Sequence, residues 1–150
     1  MPPAHEDPFD LSRFVNAQSK HYSCALAELR AGKKQTHWIW YVLPQLRGLG
    51  SSSRAIFYGI GSEDEAEAYL AHAVLGPRLR ECVAAMNGLD GLSAVQVLGE
   101  IDAAKFRSCL TLFRFVDPRD VVFCEALDKF FAGLPDQASL DLLRATKRGA

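Results

Sequence analysis

The chain has 150 residues, of which 49% are hydrophobic and 23% are charged, and its formal net charge is −1. This length and composition fit one globular domain with a sizeable core and argue against a disordered chain. The near-zero charge argues against a non-specific nucleic-acid binder, because such proteins draw their affinity from a net basic field. No segment approaches the roughly 20 continuous apolar residues that a membrane-spanning helix needs.

The four cysteines are widely spaced and form no C-x-x-C pair: they are Cys24, Cys82, Cys109 and Cys124. The first residues lack the basic region and the apolar run of a signal peptide. We therefore expect reduced, buried thiols in a cytoplasmic protein. His21 lies three residues before Cys24, but no second ligand pair accompanies them, so the sequence predicts no metal site and implies no cofactor.

The first predicted helix begins at Asp7-Pro8-Phe9-Asp10. Asp7 can cap it, Pro8 suits the first helical position, and Asp10 favours the positive helix end. Apolar or amphipathic residues then recur at spacings of three and four, namely Leu11, Phe14, Val15, Gln18, Tyr22, Ala25, Leu26 and Leu29. Gly32 is a natural stop. Residues 1–6 are expected to form a frayed leader.

The most unusual stretch runs from Gly32 to Ser53 and holds both tryptophans. We expect a short buried helix between Thr36, a good N-cap, and Pro44, which would end it. Any of the three serines at 51–53 could cap the next helix, whose first N–H groups would then be available to an anion.

Capping residues and turn signals predict further helices up to the C-terminus. They lie at Ser62 to His72, Gly76 to Asn87, Ser93 to Gly99, Asp102 to Val116, Asp117 to Phe130, and Ser139 to Ala145. The acidic run Glu63-Asp64-Glu65 is interpreted as favouring the positive helix end and nothing more. The sequence thus predicts a single all-α domain over residues 1–150, with about seven helices and a short tail at 147–150.

Several long blocks resemble one bacterial family of unknown function, family 1810, whose members often carry the label calpastatin. They read D-P-F-D-L-S-R-F-V-N-A-Q from Asp7, H-W-I-W-Y-V-L-P-Q-L-R-G-L-G-S-S from His37, A-Y-L-A-H-A-V-L-G-P-R-L from Ala68 and D-A-A-K-F-R-S-C-L-T-L-F from Asp102, with F-x-G-x-x-D-x-x-(S/T)-L near the end. The resemblance covers nearly the whole chain and implies a compact helical domain without an established activity. The calpastatin label implies little, since inhibitors of that type are disordered and this composition is not. Cys109 and Thr36 stand where serine is commoner in the family.

The aromatic block suggests a binding site, although its indoles could equally fill the core. A flat nucleobase-like ring could stack on an indole, and the cations and helix start could hold a phosphate. The candidate ligand-binding residues are Gln18, Tyr22, Lys33, His37, Trp38, Trp40, Gln45 and Ser52. Gln18 in particular could instead bond a neighbouring helix end or loop.

Catalytic candidates are fewer. His37 could act as an acid or base, and Asp102 could do so beside Lys105, although a pair with this spacing is commonly a surface ion pair. The best-supported function is therefore binding of a small nucleotide-like or phosphate-bearing ligand. The alternatives are a hydrolase acting on such a ligand and a protein-interaction module that uses the aromatic block. The sequence does not indicate an oligomeric state.

Overall fold

The structure, a computed structural model, describes residues 7–149, with side chains described as far as Ala145. Within that range the chain forms nine helices, where the sequence pattern led us to expect about seven. They are α1 (Ser12–Ala31), α2 (Ile39–Val42), α3 (Ser53–Phe57), α4 (Glu63–Ala71), α5 (Leu75–Asn87), α6 (Ala94–Leu98), α7 (Glu100–Val116), α8 (Val121–Phe131) and α9 (Gln137–Gly149). The predicted all-α fold is confirmed. The predicted leader at 1–6 lies outside the described residues.

A row of aromatic rings joins four helices in the core. The ring of Tyr69 on α4 lies 5.1 Å from that of Phe14 on α1 and 5.4 Å from that of Phe113 on α7, which in turn lies 5.8 Å from Phe123 on α8. All four rings are fully buried. Such contacts add to the burial of apolar area that stabilises the domain. No helix among the described residues is both long and apolar enough to cross a membrane.

The predicted start of α1 is wrong by about one turn. Residues 7–10 form a turn instead, closed by a 3.0 Å bond from the N–H of Asp10 to the carbonyl of Asp7, and Asp10 has a positive φ of 52°. The Asp7 carboxylate still caps the helix, because it accepts bonds from the N–H groups of Leu11 (2.8 Å) and Ser12 (2.9 Å). Burial opposes ionisation of Asp7, but these bonds hold its pKa below the usual value.

Most of the other predicted helix ends are confirmed. Gly32 ends α1 with a φ of 77°, a conformation that favours glycine. Ser52, Ser62 and Ser93 cap α3, α4 and α6 through bonds to the N–H groups three residues later. The last helix, α9, extends beyond the predicted Ser139 to Ala145 at both ends.

The loop between α1 and α2 is held by one carboxylate. Glu28 accepts hydrogen bonds from the backbone N–H groups of Gln35 (2.8 Å) and Thr36 (3.1 Å), from the Thr36 hydroxyl (2.7 Å) and from the Trp38 indole N–H (2.9 Å). The prediction that Thr36 is the N-cap of α2 is therefore wrong, because Trp38 occupies that position. Burial opposes ionisation of Glu28, but the donated bonds outweigh it and lower its pKa to about 2.

Glu28→Gln should remove a pH-dependent part of the stability. Because the folded-state pKa lies below the ordinary value of 4.5, the carboxylate contributes stability above pH 4.5 that is lost as the pH falls towards 2. We expect the variant to unfold with about 1 to 3 kcal/mol less free energy at neutral pH, and the difference to shrink in acid. Urea titrations across this pH range test it. Glu67→Gln, at an exposed site on α4, is the control, and a difference that stays constant with pH would contradict the assignment.

A buried ion pair fixes α3 and α4 against α1. The Arg13 guanidinium lies 2.7 Å from the Glu65 carboxylate, and both side chains are about 5% exposed. Its remaining N–H groups donate to the carbonyls of Phe9, Asp10, Phe57 and Gly59, so all five donors are used. The interpretation of Glu63-Asp64-Glu65 as helix-end chemistry alone is therefore wrong for Glu65.

Arg13→Met should be strongly destabilising. It leaves the Glu65 carboxylate buried without its cation, and such a loss costs about 3 to 5 kcal/mol. Arg119→Met, at an exposed position before α8, is the matched control and should change stability by no more than about 0.5 kcal/mol. Equal midpoints for the two variants in urea denaturation would show that the ion pair does not hold the helices together.

Candidate functional site

An open groove of about 800 Å³ lies between α1, the loop after it, α2 and α3. The α1 side chains on its wall are Arg13, Asn16, Ala17, Lys20, His21 and Cys24. Their spacing of three to four residues places them on one face of the helix, beside the apolar stripe that enters the core. The volume falls within the range typical of small-molecule sites.

Tyr41 connects two histidines in this groove. Its hydroxyl lies 2.8 Å from Nδ1 of His21 and 3.2 Å from the backbone carbonyl of His37. Burial, followed by the proximity of Tyr58, raises the pKa of Tyr41, so the phenol stays neutral and can donate a hydrogen bond. Both imidazoles are exposed to solvent. The groove therefore presents two imidazole rings to solvent.

The third wall is the short helix α3. It contributes Arg54 and Phe57, and Tyr58 follows as its C-cap. The ring of Tyr58 lies 5.2 Å from that of Tyr41. Phe57 stands at right angles to Tyr58 and is 54% exposed, so its ring is available at the mouth of the groove. The Arg54 guanidinium lies 5.1 Å from the centre of the Trp40 ring.

Positive charge dominates the lining. Arg13, Lys20 and Arg54 line the groove together with the two histidines, and none of the described lining residues carries a carboxylate. Arg13 has no donor left for a ligand, and its charge is balanced by the Glu65 carboxylate 2.7 Å away, so the uncompensated cations are Lys20 and Arg54. Lys20 makes no ion pair with any side chain described between residues 7 and 145. The groove is thus suited to an anion.

Two of the residues predicted from the sequence reach this groove, His37 and Trp38. Trp38 is only 1% exposed, and its indole N–H is bonded to Glu28. Its ring therefore fills the core, so only its edge is available at the groove. The exposed imidazole of His37 is the better placed of the two for ligand contact.

Trp40, Gln45 and Lys105 lie together in a separate, much smaller cleft. The Lys105 ammonium lies 4.7 Å from the Trp40 ring centre and 3.8 Å from the Asp102 carboxylate. A closer ion pair joins Asp102 to Lys34, at 2.8 Å. Asp102 is thus engaged with two lysines and does not line the groove.

The remaining predicted residues have other contacts. Gln18 is buried and donates to the carbonyl of Tyr41 (2.6 Å) and to the Tyr69 hydroxyl (3.1 Å), so it supports the groove from behind. Tyr22 bonds Glu81 on α5, and Lys33 is exposed beyond the end of α1. The Ser52 hydroxyl already satisfies the N–H of Ala55, which removes one of the donors expected to hold an anion there.

Sequence reasoning missed much of the groove. Lys20, His21, Arg54 and Tyr58 line the groove but are not among the ligand-binding residues that the sequence predicts. The signal was present on α1, since Asn16, Lys20 and Cys24 recur every fourth residue. Nothing local could show that α3 packs against that face.

Two of the cysteines depart from the buried thiols expected. Cys24 is exposed and Cys124 is half-buried, whereas Cys82 and Cys109 are buried. A hydrogen bond to Glu28 raises the pKa of the Cys24 thiol, and burial raises that of Cys109 well above its usual value. Neither thiol is therefore an activated nucleophile. Among the described residues, no cluster of three or more His, Cys, Asp or Glu side chains could hold a metal ion.

Comparison with known proteins places this fold in a family. Residues 8–143 match the model described as a protein of unknown function, DUF1810. The crystal structure of the conserved hypothetical protein Rv1873 from Mycobacterium tuberculosis is similar, with 47% identity and a TM-score of 0.91, covering 92% of this chain and 99% of that one. The search of curated proteins found no match. The resemblance inferred from the sequence is confirmed: the chain belongs to the DUF1810 family of proteins of unknown function.

Proposed function

We propose that the groove binds a small, flat, anionic molecule of the nucleotide-like or phosphate-bearing class. The observation that carries this proposal is the composition of the lining, which combines cations, imidazoles and aromatic rings without a carboxylate. The net charge of the chain is only −1, so this concentration of positive charge is local and not a property of the whole surface.

The anionic part of the ligand lies between Lys20 and Arg54. Lys20 stands on α1 and Arg54 on α3, so the two cations approach the groove from different walls. Ammonium and guanidinium groups both bind phosphate, the latter with two parallel N–H donors. In the partly enclosed groove these charges are screened less than on an open surface.

The flat part of the ligand stacks near Phe57 and Tyr58. Aromatic side chains provide stacking surfaces for rings without selecting one base over another. His37 and the Tyr41 hydroxyl supply hydrogen-bonding groups beside them, which would set the orientation of the ring. Trp38 contributes shape from the core and little exposed surface.

A hydrolase acting on the same kind of molecule is the second candidate. It is favoured by the two exposed imidazoles among the lining residues, His21 and His37, since histidine is the commonest acid or base in catalysis. If the protein is such a hydrolase, His37 remains the catalytic candidate. Asp102 and Lys105 lose theirs, because Lys105 lines the other cleft and Asp102 is paired with Lys34 and Lys105 outside the groove.

Lys20→Ala should weaken nucleotide binding without affecting folding. The probes are AMP, ADP and NAD⁺, each tested for thermal stabilisation of the wild-type chain, where a ligand at 100 times its Kd adds about 2.7 kcal/mol. We expect the Kd of the responding probe to rise about tenfold in Lys20→Ala, because one charge-assisted contact is lost. His37→Ala should also weaken binding.

Lys33→Ala is the matched control, because Lys33 is another exposed lysine of the same region but lies outside the groove. It should bind the probe as the wild type does. Equal losses in both lysine variants, or no response to any of the three probes, would contradict the proposal. Chromatography of the incubated probes separates the two candidates: products that the wild type forms, and that disappear in His37→Ala at probe concentrations high enough to saturate the variant, indicate the hydrolase.

A further inference from the structure

A second cavity lies between α7, α8 and α9 and does not share a lining residue with the groove. Its volume is about 350 Å³, at the lower end of the range for small-molecule sites. The inference drawn from it is independent of the function proposed for the groove.

Apolar side chains make up most of this cavity. They come from α7, α8, α9 and the connections between them, namely Phe115, Pro118, Leu127, Pro135 and Leu140. Thr111 also lines it, but its hydroxyl already donates to the carbonyl of Arg107 (2.8 Å) and accepts from the N–H of Asp136 (2.8 Å). The cavity is therefore suited to the apolar part of a ligand, and its polar partners are mainly the charged groups at its edge.

Those charged groups are two arginines. Arg114 projects from α7 and Arg144 from α9, and both are exposed, whereas no carboxylate is found among the described lining residues. Arg114 makes no hydrogen bond or ion pair with another residue of the described range, so its guanidinium is available to a ligand. Arg144 also stands at the edge of the cavity but already has a contact of its own.

We propose that this cavity binds a small organic carboxylate with an apolar body, such as a medium-chain fatty acid. The carboxylate pairs with Arg114, whose planar fork matches its two oxygens, while the hydrocarbon covers Leu127 and Leu140. Burial of the hydrocarbon supplies the favourable free energy, and the guanidinium sets the orientation. Because Arg114 lies on α7 and Leu140 on α9, the ligand joins these two helices.

Octanoate is the probe, with octanol and acetate as the two partial controls. Octanol keeps the apolar body without the charge, and acetate keeps the charge without the body. We expect octanoate alone to bind, seen as shifts of the backbone NMR signals of α7 and α9 and as slower amide exchange in α9. Equal binding of octanol would reduce the site to a hydrophobic cavity and overturn the role given to Arg114.

Arg114→Ala should raise the Kd for octanoate about tenfold, whereas Arg114→Lys, which keeps the charge but not the fork, should lie between. Arg119→Ala is the matched control, since Arg119 is an exposed arginine that does not line the cavity. Lys20→Ala should leave octanoate binding unchanged. Octanoate signals confined to the groove around His37, or unaltered binding in Arg114→Ala, would reject the second site.

Discussion

The Glu28 carboxylate is the interaction on which the candidate site depends. One turn before the end of α1, it accepts hydrogen bonds from two backbone N–H groups, a hydroxyl and an indole N–H of the ten residues that follow it. A loop whose backbone donors are not paired in helices must find other acceptors or remain in water. Glu28 supplies them, and its lowered pKa of about 2 keeps it ionised over the range in which the protein would work. The position of His37 follows from that anchoring, since it lies between two residues that Glu28 holds.

Arg13 holds α3, on the opposite side of the groove, against α1, as Glu28 holds the loop after α1. Its guanidinium bonds the carbonyls of Phe57 and Gly59 at the end of α3 and the carboxylate of Glu65 at the start of α4. A five-residue helix such as α3 has little stability of its own, since most helical stability in proteins comes from packing. Both walls of the groove are thus fixed to α1 by a single charged side chain each. Lys20 and Arg54, in contrast, make no ion pair with another described residue.

The parts of the fold that the sequence predicted are the parts with local causes. Several helix ends are set by bonds that span only a few residues, and the sequence predicts them: Gly32, Ser62, Ser93 and, among the three serines at 51–53, Ser52. The bonds of Glu28 and Arg13 join segments up to 52 residues apart and carry no local signature. For the same reason the block around Trp38 could not be divided into core and surface beforehand. The sequence pattern allowed its indoles to form either a stacking surface or part of the core. In the structure Trp38 is buried and His37 beside it is exposed.

A helix can serve the core and a binding site at once because its faces are separate. On α1, Phe14 and Leu29 enter the core while Lys20 and His21 line the groove, and Gln18 between them bonds the backbone of α2 from behind. The same division recurs on α7, where Phe113 is buried and Arg114 next to it stands at the edge of the second cavity. Adjacent helical residues point about 100° apart, so a buried ring fixes the backbone that carries the neighbouring charge. Lys20 and Arg114 are therefore each carried by a helix that the core holds in place, while neither makes an ion pair with another described residue, so each can pair with a ligand anion without first breaking a structural ion pair.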